Sequence, residues 1–168
     1  KVIVQFVNPD GTPAFREYLE DVIAWYDAQE SDYATIDAEV RAFSPAEPVT
    51  GFRVALKIAE SHRILRSLNE PLTITLLNPV YKETARMQAR GDHPHGEDLI
   101  RFKMHALEQL ESLNPNLSCR FFVIDDGCPD NSGDKARLIL NEDFSEAVVS
   151  GKARVYMLSE AIDTKDPD

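Results

Sequence analysis

The stretch Phe121-Phe122-Val123-Ile124-Asp125-Asp126-Gly127-Cys128-Pro129-Asp130-Asn131-Ser132-Gly133 decides the fold. An apolar run stops at two carboxylates, a glycine and a polar turn, and a helical segment, Asp134 to Leu140, follows at once. The order strand, acidic loop, helix sets paired carboxylates at the carboxyl end of a strand. In open α/β sheets that edge is where ligands bind. Upstream, Leu72-Thr73-Ile74-Thr75-Leu76-Leu77-Asn78 has the same form, an apolar run ending in the turn Pro79-Val80-Tyr81-Lys82-Glu83. Its near-continuous apolar character suits a strand covered on both faces. Downstream, Ala153 to Leu158 is a third such run.

Between the first two strands, Glu97 to Leu113 reads as a strong helix. Leu99, Ile100, Phe102, Lys103, Ala106, Leu107 and Leu110 supply its buried stripe and stem contacts, and Asn114-Pro115-Asn116 stops it. A shorter helix can begin at Thr84 to Gln88, broken by the loop Arg90 to Gly96. Strands alternating with helices imply βαβ units with right-handed crossovers. The predicted class is α/β, a Rossmann-like, mostly parallel sheet with flanking helices.

Residues 1–70 stand apart. Lys1 to Val7 reads as a strand and Asn8 to Gly11 as a turn, with Thr12 capping a helix that opens on Pro13. Phe15, Leu19, Val22, Ile23 and Tyr26 share one helical face. Asp32 to Phe43 fits alternating and helical templates alike, and Ser44 to Gly51, with two prolines and a glycine, reads as a connection. Phe52 to Leu68 is helical, with Val54, Leu56, Ile58, Ile64 and Leu65 as its apolar stripe. This region is expected to pack on the sheet or to form a small accessory unit.

The chain has 168 residues, a formal net charge of −11 and a pI near 4.8. Such a surface repels phosphate backbones, which argues against a nucleic-acid partner. No apolar run reaches the roughly 18 residues a membrane helix needs. Cys119 and Cys128 flank the second strand, which holds them too far apart for a disulfide, and two lone thiols suit a cytoplasmic protein. The chain opens on Lys1 rather than Met and closes on the acidic Asp163 to Asp168, which reads as a fragment or trimmed chain.

Taken together, Pro79-Val80-Tyr81-Lys82-Glu83 and Asp125-Asp126-Gly127-Cys128-Pro129-Asp130 resemble the nucleotide-sugar half of family-2 glycosyltransferases of the GT-A fold. The resemblance covers residues 71–168 as a nucleotide-sugar-binding region, its motifs lying between Pro71 and Leu158. It implies a nucleotide site at Pro79, Tyr81, Glu83, Asp125, Asp126 and Gly127. Asp126 would accept a hydrogen bond from the base, typically uracil, and Tyr81 would lie against it. Pro79 would bring its backbone close. Lys82 stands where the family has asparagine, and Cys128 where it usually has serine. Lys82, His93 and His95 form a candidate phosphate or acceptor loop. The resemblance also implies a divalent metal, Mn or Mg, whose Asp-x-Asp ligands follow a fourth strand and so lie outside this chain, as does the catalytic base. The implied partners are a nucleotide-sugar donor and an acceptor hydroxyl.

Blander readings stand beside these. Asp126 can cap the following turn, and Tyr81 can be a half-buried ring at a strand end. Adjacent strand residues point to opposite sides, so Asp125 is expected to bond loop amides rather than share the role of Asp126. Asp126 to Asp134 fails the EF-hand template, since Ile139 occupies the twelfth position. The adjacent aspartates lack the Asp-x-Asp spacing of a haloacid-dehalogenase-type phosphatase. His93-Pro94-His95-Gly96-Glu97-Asp98 has metal-binding chemistry, but equally suits an exposed turn before a helix. Asp166-Pro167-Asp168 has the letters Asp-x-Asp without a preceding strand. The alternative to an enzyme part is a catalytically incomplete nucleotide-binding or interaction module.

Overall fold

The computed structural model describes residues 15–43 and 47–158. The expected strand Lys1 to Val7, the turn after it, and the Thr12–Pro13 helix start lie outside the described residues. The chain divides into two compact units, Lys1–Leu68 and Asn69–Asp168.

The described residues of the first unit form three helices, α1 (Phe15–Asp27), α2 (Tyr33–Phe43) and α3 (Glu47–Arg66). The ambiguous Asp32 to Phe43 segment is helical. Asp32 Oδ1 accepts the amide of Thr35 at 2.8 Å, an N-terminal cap. Tyr33, Ile36 and Val40 then face the core at helical spacing. Ser44 to Gly51 is not a full connection, because α3 already begins at Glu47. Pro48 falls in its first turn, where the missing N–H costs no helical bond.

The buried stripe of α3 is Phe52, Ala55, Leu56 and Ala59, not the expected set. Val54 and Ile64 are about half exposed, at 48% and 53%. Two alanines let α1 approach closely, and Val22 and Tyr26 of α1 complete the cluster. Arg63 lies over the Tyr26 ring, 3.7 Å from its centroid, and donates to the Tyr26 carbonyl. Asp37, buried on α2, accepts from Arg41 and Arg53 at 2.7 and 2.6 Å.

The second unit is α/β. Among the described residues its parallel sheet has three strands in the order β1 (Leu72–Val80), β2 (Leu117–Asp125), β3 (Ala153–Met157). The crossovers contain α4 (Leu99–Glu111) and α5 (Ser132–Asp143), with a short α6 (Ser145–Val149) before β3. Leu72 pairs with Leu117 and Val80 with Asp125, while Phe121 pairs with Ala153. One face of the sheet carries Leu76, Val80, Phe121, Val123 and Ala153, and α4 and α5 pack there.

Coverage of β1 on both faces is not observed. Thr73, Thr75, Leu77 and Pro79 are exposed, Leu77 by 60%. These four share the opposite side of the strand, and β1 is an edge strand of this sheet. In α4 the buried residues are Leu99, Ile100, Met104 and Leu107. Phe102, expected on the stripe, lies roughly 200° round from Ile100 and is exposed. Thr84 to Gln88 forms turns rather than a helix, closed by Met87 N–H to the Glu83 carbonyl at 3.0 Å. No helix among the described residues is long and apolar enough to cross a membrane.

Candidate functional site

The site expected from sequence lies at the carboxyl edge of β1 and β2. Because Val80 and Asp125 are register partners, Tyr81 and Asp126 leave neighbouring strands at the same level. Both are exposed, Tyr81 by 63%. Pro79 and Ile124, the preceding register pair, lie on the face away from the helices.

Asp125 turns the other way and is 1% exposed. Its Oδ1 accepts the amides of Gly127 and Cys128 at 2.7 and 2.8 Å, and its Oδ2 the amide of Gly133 at 2.5 Å. The last of these satisfies a free N–H in the first turn of α5, where a negative charge also meets the helix dipole. Asn131, at the cap position of α5, makes no side-chain cap bond, so Asp125 supplies the acceptor instead. Burial opposes the charge of Asp125, yet bonds from Cys128, Gly133 and Gly127 hold its carboxyl below the usual range.

Two further residues stitch the β1 and β2 loops together. Ser132 is fully buried; its Oγ accepts the Glu83 amide at 2.8 Å and donates to Asp130 Oδ1 at 2.6 Å. Asp130 Oδ2 accepts both the amide and the hydroxyl of Thr84, at 3.2 and 2.8 Å. The thiol of Cys128 donates to the Val80 carbonyl at 3.1 Å. Burial works against the charge of Asp130 also, but the bonds from Ser132 and Thr84 prevail and lower its pKa. Burial first, and the nearby Asp125 second, push the Cys128 thiol up, so the cysteine acts here as a structural donor.

The turn geometry follows from left-handed residues, Lys82 after β1 and Gly127 and Asn131 after β2. Gly127 has φ +80°, and a Cβ there would meet nothing within 4 Å, so conformation rather than crowding calls for glycine. Lys82 has φ +55° without being glycine, and its Nζ sits 5.4 Å from the Tyr81 ring centroid. Gly133 answers to crowding instead. A Cβ there would lie 2.4 Å from both Asp125 Oδ2 and Met157 Sδ.

Glu83 points its carboxylate at Arg86, 3.0 Å away, and Arg86 also binds Glu97 at 2.9 Å. That pairing closes the base of the loop holding His93 and His95. His93 Nδ1 accepts the His95 amide at 3.0 Å, and the two rings stand 5.6 Å apart. Among the described hydrogen bonds, none joins either imidazole to Tyr81 or Asp126.

The comparisons with known proteins name no relative. No family model matches this chain, and no curated protein or solved structure matches it significantly.

Asp125 is committed to backbone amides and Asp130 to Thr84 and Ser132, which leaves Asp126 as the open carboxylate of the motif. No three His, Cys, Asp or Glu among the described residues gather as a metal would require. These residues do not fit a divalent ion by themselves, and Asp166 and Asp168 lie outside the described residues.

Sequence reading gave no site role to Thr84, Ser132 or Lys103. The ammonium of Lys103 donates to Asn78 Oδ1 behind the end of β1. Burial, then the charge of Arg86, lower its pKa. Asn78 is buried, and its Nδ2 has no partner among the described residues. A polar residue closing an otherwise apolar strand was the available signal. Its partner 25 positions away was not legible.

Proposed function

We propose that the chain is the nucleotide-sugar-binding part of a glycosyltransferase, with a UDP-sugar as donor and an acceptor hydroxyl as the group that receives the sugar. The observation that carries this reading is the division of labour between adjacent aspartates. Asp125 is turned inward and saturated by three amides, while Asp126 is left open beside Tyr81 at the carboxyl edge. In this reading Asp126 accepts the N3–H of uracil, a charge-assisted bond. The exposed Tyr81 ring supplies a stacking face. Pro79 and Gly127 let the backbone approach the base. Lys82, His93 and His95 are candidates to meet the phosphates or the acceptor.

Calorimetric titration with UDP, with GDP as the control, tests this. UDP is expected to bind selectively, and Asp126→Ala to abolish binding while leaving the melting temperature unchanged. Equal binding of both nucleotides, or full retention of UDP affinity in Asp126→Ala, overturns the assignment.

A further inference from the structure

A second concave surface lies towards the opposite end of the sheet, where α4, the amino-terminal ends of β2 and β3, and α6 enclose a groove of about 340 Å³. Met104, Leu107 and Phe121 give it an apolar floor. The floor side chains are themselves nearly buried, so the groove is shallow and suits one long side chain better than a helix or a ring. Three carboxylates, Glu108, Glu111 and Glu146, surround it with a single cation, Lys152.

That cation is already spoken for. Lys152 Nζ lies 2.8 and 3.0 Å from the two oxygens of Glu111, one of which also accepts the Cys119 amide at 2.6 Å. Glu108 meets only the ring of His105, at 2.9 Å, among the described contacts. Glu146 is exposed and has no side-chain partner among them. Glu146, and Glu108 with only an exposed imidazole beside it, therefore flank the apolar trough.

We propose that this groove docks an arginine side chain of a partner protein segment. The methylene stem lies along the floor, and the guanidinium is shared between Glu108 and Glu146. Arginine fits both halves of the surface. Its stem is apolar, its planar fork matches carboxylates, and it gives up hydration more readily than an ammonium. An acidic segment would meet repulsion with no return. Val149, 89% exposed at the end of α6, offers contact for an apolar neighbour of the arginine. The groove shares no residue with the edge at Tyr81 and Asp126, so it does not depend on the function proposed above.

The probe is the peptide acetyl-LRLLRL-amide, titrated into the full chain labelled with nitrogen-15. Saturable shifts are expected at the amides of Glu108, Glu146, Ala147 and Ser150. The double variant Glu108→Lys, Glu146→Lys is expected to weaken binding at least about tenfold. The same charge change on α5, Asp134→Lys with Glu142→Lys, should leave it unaltered. Because all four positions are exposed, these variants test binding rather than folding. Equal weakening by both pairs would mean general attraction to an acidic chain and overturns the proposal. So does equal binding of acetyl-LELLEL-amide, or the absence of saturable shifts at those four amides.

Discussion

Thr84 offers its amide and its hydroxyl to the same oxygen, Oδ2 of Asp130, at 3.2 and 2.8 Å. The two residues are 46 positions apart and lie in the loops that follow β1 and β2. One carboxylate thereby fixes the spacing between the segments that carry Tyr81 and Asp126. A double-mutant cycle of Thr84→Ala and Asp130→Ala, followed by urea unfolding, should yield a coupling of about 1–3 kcal/mol. Additive losses would show that the loops hold their spacing without this bond.

Gly133 and Gly127 should respond differently to alanine. At Gly133 the added methyl meets Asp125 and Met157 within van der Waals distance, so the acceptor of three amides must move. A loss above roughly 2 kcal/mol is expected. At Gly127 the space is open, and only the left-handed backbone costs, about 1–2 kcal/mol. The reverse ranking by chemical denaturation would contradict this geometry.

Lys82→Asn is a stabilising change by the same logic. Asparagine tolerates positive φ far better than lysine, and the side chain of Lys82 is exposed. A gain of about 0.5–1 kcal/mol is expected in urea titrations, provided that the turn is unaltered. If Lys82 contributes to phosphate binding, the same variant loses UDP affinity while gaining stability.

Acid should weaken the fold through Asp125 and Asp130, whose folded-state pKa values are depressed. The unfolded chain then binds more protons than the folded one over the window below pH ~4, so stability rises with pH there. The contribution is fully present above the unfolded value near 4 and is lost as pH falls through the lower folded one. Asp32, Asp37, Glu97 and Glu111 are shifted in the same direction and add to the slope. Asp125→Asn should lower the melting temperature at neutral pH and flatten its fall in acid, measured by circular dichroism. A pH profile identical to the parent would contradict the linkage.

Lys103→Met removes the donor to Asn78 Oδ1 from a carboxamide that already has a buried, unpaired Nδ2. Leaving both ends of that amide unsatisfied should cost about 1–3 kcal/mol. Adding Asn78→Leu should recover much of it, because replacing both partners by apolar groups removes the unmet polar atoms. No recovery in the double variant would mean that the lysine acts through packing alone.

How much of this was legible in the sequence depends on how local each cause is. The order of strands and helices in residues 71–158 could be read, because apolar runs and turn residues sit within a few positions of each other. The opposed directions of Asp125 and Asp126 follow from strand alternation alone. The α3 core was misread because Ala55 and Ala59 bury their faces with little hydrophobic signal, while the bulkier Val54 and Ile64 stay outside. Coverage of β1 was misread because Leu72, Ile74, Leu76 and Leu77 make a near-continuous apolar run, and alternation with threonine is the weaker pattern in it. Ser132, Thr84 and Lys103 act through partners dozens of residues away, and spacing carries no trace of such pairings.

Among the described residues no strand pairs with the outer rim of β1, and that rim has a built-in stop. The Leu72 amide donates to Asn116 in the β2 direction at 2.9 Å, so the even-numbered amides of β1 serve β2 and the odd-numbered ones point outward. Pro79 is odd, and it has no N–H to offer. A stray strand zipping along this rim would find donors at Thr73, Thr75 and Leu77 and then run out, just short of Tyr81. The proline blunts the carboxyl end of this edge against self-templated stacking, one of the devices by which sheets keep exposed margins from seeding aggregates.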